Sequence, residues 1–379
     1  MSVMAIQGLT KLPVKIEITQ AIKLLERLAH VNTLLGKLDV ELTHSKASKQ
    51  LMQLLSLQES VESTKIEGSQ VTFTDMMESS LKKSDDSDII EIQNYMRALQ
   101  FGYESVENGY PVTTRLIKQL HEILMKGSRG EVSSAGEFRK IQNFIGPTNR
   151  LEDASYIPVE AHLINEYMEN LEKFINTDSY GRLLPQNHLK SDGYIINEQA
   201  APLLKTGIMH AQFESIHPFL DGNGRLGRIL IVLYLLQQKV ITHPIFFVSE
   251  ELEKEKARYY DLLNGVRGDQ SDWGKWLLFF VDASERMATK LLDQLNKANR
   301  LLSEGEQLIE NEAERKLWIT SFEQPILTVA KGVEMTGYSP NTVRKALHQL
   351  VEKELLYASN TERRNRKYRN YALLRIFVN

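Results

Sequence analysis

Residues 217–228 bring together side chains that can bind a phosphate and move a proton. His217 is a candidate general base for a hydroxyl group, because an imidazole can accept a proton near neutral pH. Asp221 offers the hard oxygen that Mg²⁺ prefers, and water and phosphate oxygens can fill the other positions of the ion. Arg225 and Arg228 lie three residues apart, so on a helix they share one face, and guanidinium groups suit phosphate oxygens.

The backbone of the same run is suited to anion binding. His217 precedes Pro218, which disfavours helical backbone and ends a preceding helix there. Gly222-Asn223-Gly224 tolerates positive φ, so successive N–H groups can converge into a nest for an anion. The apolar residues that follow predict a helix from about Arg225, and the nest would lie at the positive end of that helix. The structural alternative is a helix–turn–helix corner with surface charges, but the joint occurrence of these features favours a phosphate site.

This run is similar to the signature of the Fic family, His-x-Phe-x-(Asp/Glu)-Gly-Asn-Gly-Arg-x-x-Arg, at every fixed position. The resemblance implies a helical core that transfers AMP from ATP to a Ser, Thr or Tyr hydroxyl of a target protein, with Mg²⁺. It implies that His217 deprotonates the hydroxyl, that Asp221 holds Mg²⁺ between the α- and β-phosphates, and that Phe219 anchors the loop in the core. The bond that breaks lies between these two phosphates, so pyrophosphate leaves.

The resemblance also defines a predicted ATP site. The backbone of residues 222–224 would cradle the phosphates, Arg225 would support the β-phosphate and Arg228 the γ-phosphate. The candidates for the adenine and ribose pocket lie on the helix after the core helix and are Tyr259, Tyr260, Asn264 and Arg267, although core packing explains the tyrosines equally well. The residues predicted to bind ATP are Glu67, Asp221, Gly222, Asn223, Gly224, Arg225, Leu226, Gly227, Arg228, Tyr259 and Tyr260.

A second motif lies far upstream. Residues 63–68 fit the inhibitory pattern of the family, (Ser/Thr)-x-x-x-Glu-(Gly/Asn), with Ser63, Glu67 and Gly68 at its fixed positions. By itself this short string also suits an ordinary helix end, because Gly is favoured just past a helix terminus. Beside the signature, the resemblance implies that Glu67 pairs with Arg228 and withdraws that guanidinium from the γ-phosphate, while Ser63 contacts the same region. Whether Glu67 also supports removal of AMP from the target, as in some relatives, stays open.

Between the two motifs, a segment rich in Gly and Pro predicts a β-hairpin. One short strand is expected to contain Phe138, Ile141, Phe144 and Ile145, and a second is expected at 154–157. The resemblance implies a flap at residues 141–157, on which an extended segment of the target protein docks by strand addition. The alternative is a surface hairpin without a partner.

The C-terminal segment differs from the rest of the chain in charge. Residues 321–379 carry ten Lys and Arg against five Asp and Glu, although the whole chain has 46 against 49 and a net charge of −3. Residues 326–356 predict a helix, a turn and a second helix. Ser339 is the expected cap of the second helix, and Pro340 lies in its first turn.

Two strands are expected after these helices, at 355–357 and 368–374. The pattern resembles a winged helix, with residues 360–369 as a basic wing. A basic wing could contact the phosphates of DNA. The alternative is a winged helix used for protein contacts or dimerisation.

Composition excludes several classes of function. The 379 residues contain no Cys, which excludes disulfides, iron–sulfur clusters, Cys-based zinc sites and thiol nucleophiles. The nearly neutral net charge argues against a polyanion binder as a whole. No stretch of about 18 apolar residues predicts a membrane span, and no secretory signal is recognised, so a cytoplasmic location is expected.

Apolar periodicity predicts the elements that must hold the signature loop. The expected fold class is mainly α, with a Fic helical core, a β-hairpin flap and a C-terminal winged-helix domain. The predicted domains are an N-terminal helical region at 1–110 that carries the inhibitory helix, a catalytic core at 111–300 and the winged helix at 301–379. Helical residues are expected at 18–60, 89–107, 113–126, 159–176, 189–213, 225–239, 250–267 and 273–300.

Three functions are consistent with these features. The first is an autoinhibited protein adenylyltransferase that uses ATP and Mg²⁺ and modifies a target protein or itself, with a homodimer left open. The second is a transferase on the same scaffold that moves a phosphate or a phosphocholine group. The third is a DNA-binding regulator whose Fic core is regulatory or inert. The intact run from Gly222 to Arg228 favours the first.

Overall fold

The computed structural model describes residues 5–79, 86–127, 134–148, 150–177, 189–190, 193–358 and 366–378, and most of them are helical. The predicted class, a mainly α protein with few strands, is confirmed. Within these ranges, no helix is both long enough and apolar enough to cross a membrane.

Helices of the N-terminal part carry the upstream motif. The elements here are β1 (Ile6–Gln7), β2 (Val14–Ile16), α1 (Ile18–Thr43), α2 (Ser48–Ile66), α3 (Phe73–Ser79) and α4 (Ser87–Glu107). α1 buries residues such as Leu24, Leu28 and Leu35 at three- and four-residue intervals, as a helix packed on a core requires. The helical stretch predicted at 18–60 is therefore two helices. The second one ends at Ile66, close to Gly68, where a helix end is predicted.

Two consecutive helices form the centre of the molecule and hold the signature loop between them. The elements of this part are α5 (Thr114–Met125), β3 (Tyr156–Ile157), α6 (Ile164–Asn176), β4 (Leu189–Lys190), β5 (Gly193–Ile196), α7 (Pro202–Ile216) and α8 (Asn223–Gln237). All residues of α7 after Pro202 are buried, and so are residues 225–236 of α8. A helix that is buried on every side fixes its ends firmly, so the loop at 217–222 has a rigid frame.

The helix predicted at 189–213 is wrong over its first half. β5 pairs with β2 and β4 in an antiparallel sheet, and α7 begins only at Pro202. Proline suits the first turn of a helix but not its interior, so it sets this start. Gly193 is required on the strand, because a Cβ there would lie 2.8 Å from the carbonyl oxygen of Ile16.

The predicted hairpin is also wrong in part. Of its two strands only β3 forms, and Ile145 makes a single antiparallel bridge to Tyr156. The segment before Ile145 turns to the signature loop instead: the N–H of Arg139 donates to the carbonyl oxygen of Pro218 at 2.9 Å. The other edge of β3 pairs in parallel with β1, through Ile6 and Tyr156. Asn149, at the predicted turn, lies outside the described residues.

The C-terminal part consists of one long helix and a small mixed module. Its elements are α9 (Ser249–Lys254), α10 (Lys256–Gly265), α11 (Trp273–Leu308), α12 (Glu312–Thr320), β6 (Ile326–Leu327), α13 (Val329–Thr336), α14 (Pro340–Glu352), β7 (Tyr357–Ala358), β8 (Tyr368–Arg369) and α15 (Tyr371–Val378). The helix predicted at 250–267 is thus split into α9 and α10. α11 runs past the domain boundary predicted at residue 300.

β6, β8 and β7 form an antiparallel sheet in that order, beside α13 and α14. The strand predicted at 368–374 is wrong beyond Arg369, because the side chain of Asn370 accepts from the N–H of Leu373 and starts α15. The winged-helix assignment stays a prediction. Residues 360–365 of the predicted basic wing lie outside the described part of the chain, so contact with DNA also stays a prediction.

Candidate active site

The signature loop leaves α7 through an unusual backbone conformation. His217, just before Pro218, has φ 49° and ψ 60°, which is the left-handed region that a non-glycine residue seldom adopts. Asn223 closes the loop from its other end: its side chain accepts from the N–H of Phe219 at 3.0 Å and donates to the carbonyl oxygen of Phe219 at 2.9 Å. Phe219 is fully buried, as expected of an anchor. The loop is therefore fixed at both ends.

The predicted nest is smaller than three residues. Only Gly222 has positive φ, at 76°, while Asn223 and Gly224 already belong to the first turn of α8. The first N–H groups of a helix have no partner within it, so they face the loop and favour an anion. The N–H of Gly222 itself donates to Oδ1 of Asp221 at 2.6 Å. The anion site is thus a helix N-terminus preceded by a single left-handed glycine.

His217 has the properties of a base that is unprotonated at neutral pH. Burial lowers the pKa of its imidazole to about 4, and the positive charges of Arg267 and Arg139 add to this effect. A hydrogen bond to the backbone of Glu214 opposes this shift without outweighing it. A ring nitrogen without a proton can therefore accept one from a hydroxyl group near neutral pH.

The structure brings the two predicted motifs together at Arg228. Oε1 of Glu67 lies 2.6 Å from Nη2 of Arg228, and Ser63 accepts from the same guanidinium through Oγ at 2.7 Å and through its carbonyl oxygen at 2.9 Å. Arg228 is 1% exposed. Burial acts to raise the pKa of the Glu67 carboxyl, but the charge and hydrogen bond of Arg228 outweigh it and hold that pKa below its usual range.

Two glycines explain why Glu67 reaches the loop. Gly68 has φ 105° and ends α2 directly after Glu67, a conformation that a side chain would disfavour. A Cβ on Gly224 would lie 2.2 Å from Oε1 of Glu67. The carboxylate therefore rests on the backbone of the first turn of α8.

Arg225 pairs with carboxylates other than Glu67, the partner of Arg228. Arg225 is buried, and its Nη1 lies 2.8 Å from Oε2 of Glu91 on α4. Its Nη2 lies 3.7 Å from Oδ2 of Asp221, whose side chain is about half exposed. Sequence analysis missed Glu91, since no local pattern connects a residue of α4 with the signature.

The remaining residues that are predicted to bind ATP differ in their contacts. Leu226 is fully buried, and Gly227 packs against α7, where a Cβ would lie 2.4 Å from Oε1 of Glu214. Tyr259 is also buried, with its hydroxyl 2.8 Å from Nε2 of His210. Tyr260 is 36% exposed. Core packing thus accounts for three of the four, and Tyr260 alone presents substantial surface.

α2 carries a third polar residue that sequence analysis missed. Glu59, Ser63 and Glu67 follow at intervals of four residues, so they lie on one face of the helix. Burial raises the pKa of the Glu59 carboxyl to about 7, although hydrogen bonds from Ser249 and Tyr95 lower it. Glu59 joins α2 to the first residue of α9. The four-residue spacing was the signal that could have revealed it.

Solved structures define the class of fold. A crystal structure of a Fic family protein from Desulfovibrio desulfuricans G20 superposes with a TM-score of 0.55 at 20% identity, and covers 92% of this chain and 95% of that chain. Fic-1 from C. elegans gives a TM-score of 0.52 at 16% identity, with 73% of this chain and 74% of that chain covered. The protein therefore has the helical fold of Fic proteins.

The sequence assigns the family. The Fic/DOC family model matches residues 111–235, and the model of the Fic/DOC family N-terminal region matches residues 25–104, so the chain belongs to the Fic/DOC family. Relatives called protein adenylyltransferase Fic from Drosophila erecta and Drosophila melanogaster are each 23% identical over 198 residues, or 52% of this chain. The match covers 32% and 33% of those relatives, so this chain spans about a third of their length.

Proposed function

We propose that this protein transfers AMP from ATP to a hydroxyl group of a target protein, and that the end of α2 inhibits this transfer. The observation that carries the proposal is the contact between Glu67 and Arg228, two residues 161 positions apart in sequence. Each belongs to a separate motif, and neither motif alone would require the other. Relatives named protein adenylyltransferase support the reaction class.

The chemistry follows from His217 and the start of α8. The target hydroxyl gives its proton to an unprotonated nitrogen of His217, which the lowered pKa keeps available. Its oxygen forms a bond to the α-phosphorus of ATP, the bond from that phosphorus to the oxygen bridging to the β-phosphate breaks, and pyrophosphate leaves. The N–H groups of the first turn of α8 stabilise the negative charge on the transferred group.

Asp221 is the residue that would hold Mg²⁺. Its carboxylate is about half exposed at the mouth of the loop, and among the described residues no group of three His, Cys, Asp or Glu side chains could hold a metal ion. A single carboxylate suits an ion that takes its other ligands from water and from the substrate phosphates. When bound, Mg²⁺ would neutralise charge on those phosphates. The donor set therefore fits a substrate-bound ion rather than a resident one.

Glu67 would inhibit AMP transfer by disturbing how the γ-phosphate of ATP binds. Glu67 holds the guanidinium of Arg228 and places its own negative charge against Gly224, at the helix end that favours an anion. ATP would then meet a carboxylate where its terminal phosphate needs a cation. Release of Glu67 would return Arg228 to the nucleotide.

The target segment would dock beside the loop. β1 already occupies one edge of β3, so the strand addition implied by the resemblance would have to use residues 141–145. These residues follow Arg139, whose backbone bonds Pro218 next to His217. An extended segment at this edge would present its hydroxyl close to the base.

The test is transfer of label from ATP in the presence of Mg²⁺. Glu67→Gly should raise labelling by α-labelled ATP at least about tenfold, because the loss of about 1.4 kcal/mol from the inhibited state suffices for that factor. Glu62→Gly is the matched control, since Glu62 lies on the same helix but pairs with Lys65. His217→Ala in the activated variant should abolish labelling while ATP still binds.

Several outcomes would contradict the proposal. Equal labelling by the wild type and Glu67→Gly would remove the inhibitory role of α2. Labelling that survives His217→Ala would make another residue the base. Label that arrives from γ-labelled rather than α-labelled ATP would mean that a phosphate moves and not AMP.

A further inference from the structure

We infer that His121 on α5 is a positioning residue of the nucleotide site. Its side chain fixes the peptide group between Asp221 and Gly222 by a hydrogen bond from α5. The inference rests on the proposed function, because it concerns how the loop is held for ATP. His121 is 3% exposed and belongs to neither of the two motifs. It contacts the signature loop at two separate points.

The hydrogen bonds of His121 determine where its proton lies. The backbone N–H of Gly136 donates to Nδ1 at 2.9 Å, and an amide N–H can only donate. Nδ1 therefore carries no proton, so Nε2 carries it and donates to the carbonyl oxygen of Asp221, 3.0 Å away.

The ring also supports the loop by stacking. It lies flat against Phe219, with ring centroids 3.8 Å apart and an angle of 7° between the planes. Phe138 meets Phe219 at its edge, with centroids 5.3 Å apart. The anchor of the loop is thus enclosed by α5 on one side and by Phe138, which precedes the predicted flap, on the other.

The peptide between Asp221 and Gly222 is fixed at both of its polar ends. Its carbonyl oxygen accepts from His121, and its N–H donates to the carboxylate of Asp221. Gly222 has φ 76°, which disfavours any side chain there, and a Cβ would lie 2.7 Å from Sδ of Met125 on α5, so that Met125 would have to move. Without His121 this peptide can rotate, and rotation would displace both the Asp221 carboxylate and the left-handed turn that starts α8.

Two substitutions separate the parts of this arrangement. His121→Phe keeps a ring against Phe219 but removes both hydrogen bonds, whereas His121→Gln keeps a donor group for the carbonyl oxygen of Asp221. In the Glu67→Gly background, we expect His121→Phe to lower kcat for AMP transfer about tenfold or more, as misplacement near reacting groups does. In the same variant, the Mg²⁺ concentration needed for the half-maximal rate should rise. His121→Gln should recover part of both losses.

A remote core substitution distinguishes positioning from mere stability. Leu28→Ala on α1 removes a buried side chain far along the chain from the loop and should lower the thermal midpoint with little change in kcat. If Leu28→Ala lowers kcat as much as His121→Phe at an equal thermal midpoint, His121 is only structural and the inference is overturned. Equal kcat in His121→Phe and its parent would overturn it as well.

A spectroscopic measurement decides the matter even if no AMP transfer is found. In full-length protein with ¹⁵N-labelled histidine, the resonances lost in His121→Gln should show a neutral ring with its proton on Nε2 at neutral pH. Mg²⁺-dependent ATP binding should weaken in His121→Phe. A proton on Nδ1, a charged ring or unchanged binding would overturn the inference. Failure of labelling in Glu67→Gly would instead overturn the proposed function.

Discussion

Arg228 interacts with carboxylates from two different helices. Glu67 bonds it directly, and Glu214 on α7 lies close enough for the charge of Arg228 to act on its pKa. Burial and the negative charge of Glu67 together raise the pKa of Glu214 to about 7, in spite of the positive charge of Arg228. No described residue makes a hydrogen bond to Oε1 of Glu214. This buried group therefore keeps its proton at pH values well above the usual range of a carboxyl group.

The raised pKa of Glu214 has a direct consequence for stability. Between its ordinary pKa of 4.5 and about 7, the folded protein binds a proton that the unfolded chain releases, so the free energy of unfolding falls as pH rises through this window. Glu214→Gln cannot titrate, and its thermal midpoint should fall less than that of the wild type between pH 5 and pH 8. The difference corresponds to at most about 3 kcal/mol.

Thermal unfolding of both proteins across this pH range measures the effect. Glu59 also has a pKa near 7, but it is present in both proteins, so the difference isolates Glu214. Midpoints that run parallel from pH 5 to pH 8 would mean that Glu214 keeps an ordinary pKa in the folded protein.

At the scale of elements, a local signal predicted where α14 begins. Ser339 accepts from the N–H of Thr342 at 3.2 Å and Pro340 opens α14, as the sequence indicated. The strand β5 could not be predicted in the same way, because its partner Val14 lies far away in the chain and decides the conformation by pairing. The contacts of Glu91 and of His121 with the loop likewise depend on how α4 and α5 pack.

α2 ends in a conformation that favours glycine, and this can be tested without touching Glu67. Gly68 has φ 105° with open space around it, so Gly68→Ala adds only backbone strain of about 1–2 kcal/mol. The strain should displace Glu67 and raise labelling above the wild type. Gly68→Asn should raise it less, since Asn tolerates the left-handed region better than Ala.

Gly109 provides the matched control for this prediction. It follows α4 with φ 84°, it also has open space around it, and it lies outside the signature and inhibitory motifs. Gly109→Ala should lower the thermal midpoint without raising labelling. Equal labelling in Gly68→Ala and Gly109→Ala would show that the end of α2 does not control the activity.

At the scale of the whole molecule, the C-terminal module, residues 321–378, contacts the helices that carry and follow the inhibitory motif. Nε2 of Gln324 donates to the carbonyl oxygen of Met77 on α3 at 3.1 Å, and Lys367 lies 2.9 Å from Glu78 on the same helix. Nε2 of Gln58 on α2 donates to the carbonyl oxygen of Phe377 at 3.3 Å. The module therefore helps to hold α2 and α3 in place.

Hydrogen exchange of α3 tests this role of the module. Gln324 is buried, and Gln324→Ala removes the hydrogen bonds that its Nε2 donates to the carbonyl oxygens of Met77 and Ile326, each worth about 0.5–1.5 kcal/mol. We expect faster amide exchange across α3, because a seven-residue helix depends on its tertiary contacts. Gln294→Ala is the control: Gln294 donates to Ile376 and joins α15 to α11, so exchange should rise in α15 and not in α3. If Gln324→Ala leaves exchange of α3 unchanged, the module contacts that helix without stabilising it.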